Sequence, residues 1–316
     1  MKQRASASLL ISTALMATVL VPAPALAQHR GQYLPGLFGV ASGTMPEPGL
    51  TYANIFYYTP SDRAKGPDGV PLPVSGQFAI MVDNNIFVYV TKFKLLGANI
   101  GFQTDLPLAN GSLTALLFPA VSGGLPVNGG GGGFGDSYFA PFVLGWHIPR
   151  ADLQAGYAFF APTGRFVPGA SNNIGAGFWT NTAFGGATAY LTKNKALTVN
   201  AFSIYEWHTR QEGTNVTPGE TESLDYSILQ MIPLTKKETA LLQVGAMGYG
   251  QWQATRNEGQ GPILSATQYG VDAIGFTANV VLPQRKLSVG TRYLWEYDAR
   301  NTREGRTLMM TAGVTF

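Results

Sequence analysis

The sequence predicts an all-β protein: a transmembrane antiparallel β-barrel of about twelve strands, with an N-terminal Pro/Gly-rich plug-like segment. Three observations predict it. The chain closes on an alternating stretch, in which Leu308, Met310, Ala312, Val314 and Phe316 are apolar and are separated by Thr307, Met309, Thr311, Gly313 and Thr315. A strand with one lipid-compatible face and a terminal aromatic, here Phe316, is a barrel-closing strand. The opposite end carries Lys2 and Arg4, an apolar run from Leu9 to Val21, and the small-x-small motif Ala25-Leu26-Ala27. That is a secretory signal peptide, cleaved after Ala27. Finally, charged residues make up 12% of the chain, against 39 glycines and 12% aromatics. A soluble protein needs charge on its outer face; a barrel in lipid turns its polar groups inward.

Composition narrows the classes further. Outside residues 1–27 no run of about 18 apolar residues exists to span a bilayer as a helix. There is no cysteine, so a closed hydrogen-bonded sheet, not disulfides, must supply stability in an exported chain. The net charge is +3 and the pI about 9.0, with basic residues scattered and no run that suggests nucleic acid.

The chain divides into a signal peptide (1–27), an N-terminal plug or hatch segment (28–49) and the barrel (50–316). Residues 28–49 hold Pro35, Pro46 and Pro48 with five glycines, so they cannot join a central strand. They form either a loose periplasmic tail or a plug in the lumen. Tyr33, Leu34, Leu37 and Phe38 need burial and favour the plug. Strand candidates follow near 50–59, 77–93, 96–108, 136–147, 151–162, 174–192, 196–209, 221–232, 238–254, 267–283, 286–301 and 305–316. Short turns fall near Lys94-Leu95, at Pro149-Arg150, Lys193 to Lys195, Thr235 to Lys237 and Pro283 to Arg285. Longer loops fall at 60–76, 109–135, 163–173, 210–220, 255–266 and 301–305. Counted back from Phe316 at the periplasmic rim, every short turn lands on the periplasmic side, as barrels require. The glycine run Gly129–Gly133 reads as flexible loop, since no Gly-Lys-Ser/Thr follows it to make a phosphate loop.

Alternation assigns faces. In 286–300, Tyr293, Trp295 and Tyr297 face lipid, while Arg292, Glu296, Asp298 and Arg300 face the lumen as an ion-pair ladder or a selectivity wall. Glu206 and His208 face inward from 196–209, and Gln243 and Gln251 from 239–253. Inward Phe160, Met247, Tyr249 and Met309 make the lumen amphipathic, suited to apolar solutes.

Enzyme chemistry is poorly supported. The histidines are His29, His147 and His208; Ser203 and Glu206 lie near His208, but no G-x-S-x-G surrounds a serine. No metal-ligand spacing occurs and no cofactor is expected. Asn110-Gly-Ser112 and Asn215-Val-Thr217 match glycosylation sequons, which a bacterial outer-membrane protein would not use.

Tyr33-Leu-Pro-Gly36, the Gly43–Gly49 approach to Tyr52-Ala-Asn-Ile-Phe-Tyr-Tyr58, Phe134-Gly-Asp136 with Pro141, Leu144-Gly-Trp146-His147 and Gly156-Tyr157 with Ala161-Pro-Thr-Gly164 stand in an order that resembles the family named for the meta-pathway of phenol degradation, also called SphA-like. Gly175-Ala-Gly-Phe-Trp179, Gly270 to Gly275 and Trp295-Glu-Tyr-Asp-Ala-Arg-Asn301 with Glu304-Gly305 extend the resemblance over nearly the whole mature chain. It implies an outer-membrane barrel related to long-chain fatty-acid and aromatic-hydrocarbon channels, with an N-terminal hatch. The expected function is passive uptake of small hydrophobic or aromatic compounds. The alternatives are a small-solute porin and a closed structural or adhesive barrel. Expected partners are outer-membrane lipid and lipopolysaccharide, a hydrophobic small molecule and the barrel-assembly machinery.

Overall fold

The computed structural model describes residues 30–117, 125–259 and 268–316. The signal peptide, Gln28 and His29 lie outside the described residues. Among the described residues, thirteen strands form one antiparallel sheet: β1 (Gly49–Ala64), β2 (Val74–Leu95), β3 (Ala98–Leu117), β4 (Leu125–Phe134), β5 (Ser137–Ile148), β6 (Ala151–Ala161), β7 (Thr180–Tyr190), β8 (Leu197–His208), β9 (Thr221–Pro233), β10 (Leu241–Gln253), β11 (Gly270–Leu282), β12 (Leu287–Arg300) and β13 (Arg303–Thr315). The sheet runs β2-β1-β13 back through to β5-β3-β4, and β2 also pairs with β3. That second pairing closes a ring of twelve strands and leaves β4 as an extra one. Closure leaves the ring no free edge in lipid, where an unpaired backbone group costs several kcal/mol.

The seam between β1 and β13 shows why the sequence closes this way. Tyr52 pairs with Val314, Phe56 with Met310 and Tyr58 with Leu308, so the apolar face of the last strand continues across the first. The turns are chemically apt. Leu96 and Gly97 both have positive φ, 50° and 80°, and join Leu95 to Ala98 across a two-residue hairpin. Pro283–Arg285 form a 3₁₀ turn that ends on left-handed Lys286.

Three expectations need correction. The segment 109–135 is not a loop: β3 runs on to Leu117 and β4 pairs with it from Leu108–Phe134 to Leu117–Leu125. The glycine run is therefore ladder, not flexible loop. A Cβ on Gly130, whose φ is 143°, would meet the Gly111 carbonyl at 2.5 Å, and Gly130 N–H donates to Ser171 O at 2.8 Å. Glycine permits this close backbone approach. Residues 174–179 precede β7 and are not strand. Asp298 and Arg300 do not face the lumen. Asp298 adopts φ 48°, which breaks the alternation of β12: Arg292, Leu294 and Glu296 are buried, then Asp298 and Arg300 are exposed and Ala299 is buried. Arg300 forms an ion pair with Asp298 at 3.0 Å.

Candidate functional site: a hatch bonded to one half of the lumen

Residues 30–48 form neither helix nor strand. Pro35-Gly36 make a turn in which proline fixes the first corner and Gly36 takes φ 88°, the combination a type II turn requires. The turn directs Tyr33 and Leu37 into the inward-facing side chains of the barrel, where both are buried and Leu34 and Phe38 are partly so. Tyr33 stacks beside Phe38, and both rings pack on Phe202 of β8, with centroids 5.9 and 4.8 Å away.

The hatch has few side chains that can hydrogen-bond, so the wall supplies the partners for its backbone. Asp225 of β9 accepts from the Tyr33 hydroxyl at 2.5 Å, Gly36 N–H at 2.8 Å and Phe38 N–H at 3.1 Å. Arg292 of β12 donates to the Gly36 and Leu37 carbonyls, each at 2.7 Å. Glu206 of β8 accepts Tyr33 N–H at 2.9 Å, and Gln251 of β10 donates to the Tyr33 carbonyl at 3.1 Å. At one end Arg30 forms an ion pair with Glu296, which also takes Tyr249 OH and Gly305 N–H. At the other end Thr44 Oγ1 donates to Asp152 of β6, and Gly43 N–H to Thr188 of β7, each at 3.0 Å. Asp152 also receives Tyr190 OH and contacts His147 Nδ1 at 3.1 Å.

These partners lie on strands β6 to β13 or on the loops between them. Among the described residues, no side-chain hydrogen bond joins the hatch to β1, β2, β3 or β5. Those four adjacent strands turn mainly apolar side chains inward, Ile55, Tyr57, Val82, Ile86, Ala140 and Val143, and the buried Asn84 between Val82 and Ile86 donates to the Ile55 carbonyl at 3.2 Å rather than to the hatch. The lumen thus has a polar half that holds the hatch and an apolar half that only touches it, as Met45 does beside Gly101 and Gly145.

The expected site residues fall into this frame unevenly. Arg292, Glu296, Glu206 and Gln251 lie together around the hatch. Gln243 lies apart, accepting from Asn279 at 3.3 Å. His208 is engaged by Thr180 at 2.8 Å and by the Phe178 ring. Met247, Tyr249 and Met309 are fully buried against the hatch, and Phe160 packs on Tyr138. Phe316 is 70% exposed, and its N–H donates to Leu50 O at 2.9 Å. Sequence reasoning missed Asp225, Ser227, Asp152 and Thr188. The alternation Thr221, Ser223, Asp225, Ser227 against Leu224, Tyr226 and Ile228 carries the signal for the first two.

The Phe134-Gly-Asp136 motif also acquires a role. Asp136 sits at the break between β4 and β5 and accepts Gly164 N–H at 2.9 Å and Ala176 N–H at 2.8 Å. It ties the 162–179 loop to the wall. Burial raises its carboxyl above the ordinary range although both N–H donors favour the anion.

A closed twelve-stranded barrel with its N-terminal segment folded into the lumen is an outer-membrane β-barrel of the channel type. The chain belongs to the family described as "Putative MetA-pathway of phenol degradation", whose match covers residues 61–312. No curated protein matches it. Among solved structures it is similar to the COG4313 outer membrane channel from Pseudomonas putida F1, with a TM-score of 0.72 at 14% identity, over 90% of this chain and 100% of that one. That likeness shows the fold. A Pseudomonas aeruginosa FadL homologue aligns with a TM-score of 0.41 at 10% identity, over 92% and 97% of the two chains. The CymD monoaromatic hydrocarbon channel aligns with 0.37 at 8%, over 86% and 89%.

Proposed function

We propose that this protein is an outer-membrane channel for passive uptake of small hydrophobic or aromatic compounds. The observation that carries the reading is the asymmetry of the lumen. Inward charges that would line a water-filled pore are instead engaged by the hatch. The remaining wall, β1 to β3 and β5, is mainly apolar and, among the described residues, makes no side-chain hydrogen bond to it. A solute can therefore slip between the hatch and that wall without breaking a buried ion pair, a step that costs about 3–5 kcal/mol per partner removed. The hatch blocks water and ions while the apolar margin yields. The chain reaches the outer membrane through a signal peptide cleaved after Ala27 and the barrel-assembly machinery, and its aromatic outer face rests in lipid and lipopolysaccharide.

Proteoliposomes test the reading. Toluene entry should rise well above protein-free vesicles, while swelling in small sugars should not. Equal entry of sugars and toluene supports a general porin instead, and entry of neither supports a closed barrel.

A further inference from the structure

Among the described residues, the mainly apolar half of the lumen contains one buried carboxylate. Asp105 lies on β3, opposite Ile86 of β2 and Tyr138 of β5, and is 9% exposed. Its Oδ1 is buried without a hydrogen-bond partner. Among the described residues Asp105 accepts no hydrogen bond from any donor and forms no ion pair. Its charged neighbour, Asp83, carries the same sign. Every other inward carboxylate described above has at least one donor: Glu296 has Arg30, Asp225 has Tyr33 and two backbone N–H groups, Asp152 has Thr44 and Tyr190, and Glu206 has Tyr33 N–H on Oε1, although its Oε2 is buried without a partner. A buried acceptor left unpaired costs about 1–3 kcal/mol, and more when it is charged. Such a group inside a membrane protein marks a pathway.

The surroundings define what could pair with it. Tyr138 and Phe160 stand beside it with ring centroids 4.9 Å apart, and Ala140 and Ala158 keep this part of the wall low. Gln103, two residues along the same face, is paired with Ala140 and has no hydrogen-bond partner of its own among the described residues. A solute ring that displaces the packing here would lie against Tyr138 and Phe160, and a hydrogen-bond donor on it would meet Asp105 and Gln103.

We propose that Asp105 is a specificity-determining binding residue, which accepts a hydrogen bond from the hydroxyl of an aromatic solute passing along the β1–β3/β5 wall. The inference rests on the uptake reading above and narrows its substrate class to hydroxylated aromatic compounds. A neutral hydroxyl satisfies the unpaired Asp105 oxygen and brings no second charge into the apolar path.

The full chain in liposomes provides the test, read as the ratio of p-cresol entry to toluene entry. The two solutes share a methyl-substituted ring and differ by the hydroxyl. Wild type should favour p-cresol, and Asp105→Leu should lower the ratio about tenfold. Asp105→Asn keeps an acceptor oxygen and the shape, and should lie between the two. Heat-modifiable migration on gels reports that each barrel is folded. An unchanged ratio in both folded variants overturns the role of Asp105 and leaves hydrophobic uptake standing. Stronger entry of benzylammonium than of p-cresol through wild type overturns the neutral-hydroxyl assignment. Entry of neither ring through wild type overturns the uptake reading and this inference together.

Discussion

The Tyr33 hydroxyl donates to Asp225 across 192 residues of sequence, at 2.5 Å, in a site closed to solvent. The same carboxylate holds Gly36 N–H and Phe38 N–H, so one wall residue fixes the turn of the hatch.

Replacing Asp225 with Ala leaves the buried Tyr33 hydroxyl and Gly36 N–H unpaired, at about 1–3 kcal/mol each, while Phe38 N–H keeps its bond to the Tyr33 oxygen. The expected outcome is a hatch that loosens inside an intact barrel. Limited proteolysis should cut residues 30–45 in Asp225→Ala and spare them in wild type, with heat-modifiable migration retained in both. Equal protection in the two proteins would show that the hatch is held by packing alone.

The lower hatch has no room for a side chain at Gly43. A Cβ there would sit 2.1 Å from the Asp152 carbonyl oxygen and 2.5 Å from Thr188 N. Both are wall backbone, so the hatch must move. Gly43→Ala should cost about 1–3 kcal/mol in urea unfolding. Gly111→Ala meets nothing within 4 Å and should stay within about 0.5 kcal/mol of wild type.

The bulge at Asp298 makes its own prediction. Asp298→Val forces a β-branched residue into φ 48° and should destabilise by about 1–2 kcal/mol, whereas Asp298→Gly should not. Cysteines at 298 and 300 should react with a water-soluble reagent, and cysteines at 293, 295 and 297 with a lipid-soluble one. An Asp298→Val protein as stable as wild type would contradict the bulge.

These sites show which features the sequence discloses. The alternation in β12 and β13 places Arg292, Glu296 and Met309 inward without any structure, because a strand has period two and lipid tolerates few polar groups. The same alternation misplaces Asp298 and Arg300, because one non-glycine residue at positive φ reverses the faces and leaves no mark in composition. Gly129–Gly133 reads as loop because glycine is depleted from strands; here the ladder needs it for close approach to Gly111 and Ser171. The hatch is visible as Pro/Gly-rich chain with aromatics to bury. Its attachment to one half of the lumen is not, since that depends on Asp152, Thr188 and Asp225 converging from three strands.

At the seam, Phe316 contributes the backbone bond to Leu50 and an outward ring beside Tyr52 and Phe87. Deleting it should lower the fraction of folded barrel on gels, and Phe316→Leu should restore most of it. A normally abundant, fully folded deletion would show that closure does not depend on Phe316.

Planar-bilayer conductance of the intact protein and of a chain lacking residues 28–49 tests the central claim most directly. A hatch bonded across the lumen predicts a small ionic conductance for the intact channel and one several-fold larger after deletion, as the polar half of the wall fills with water. The same conductance from both proteins would contradict it.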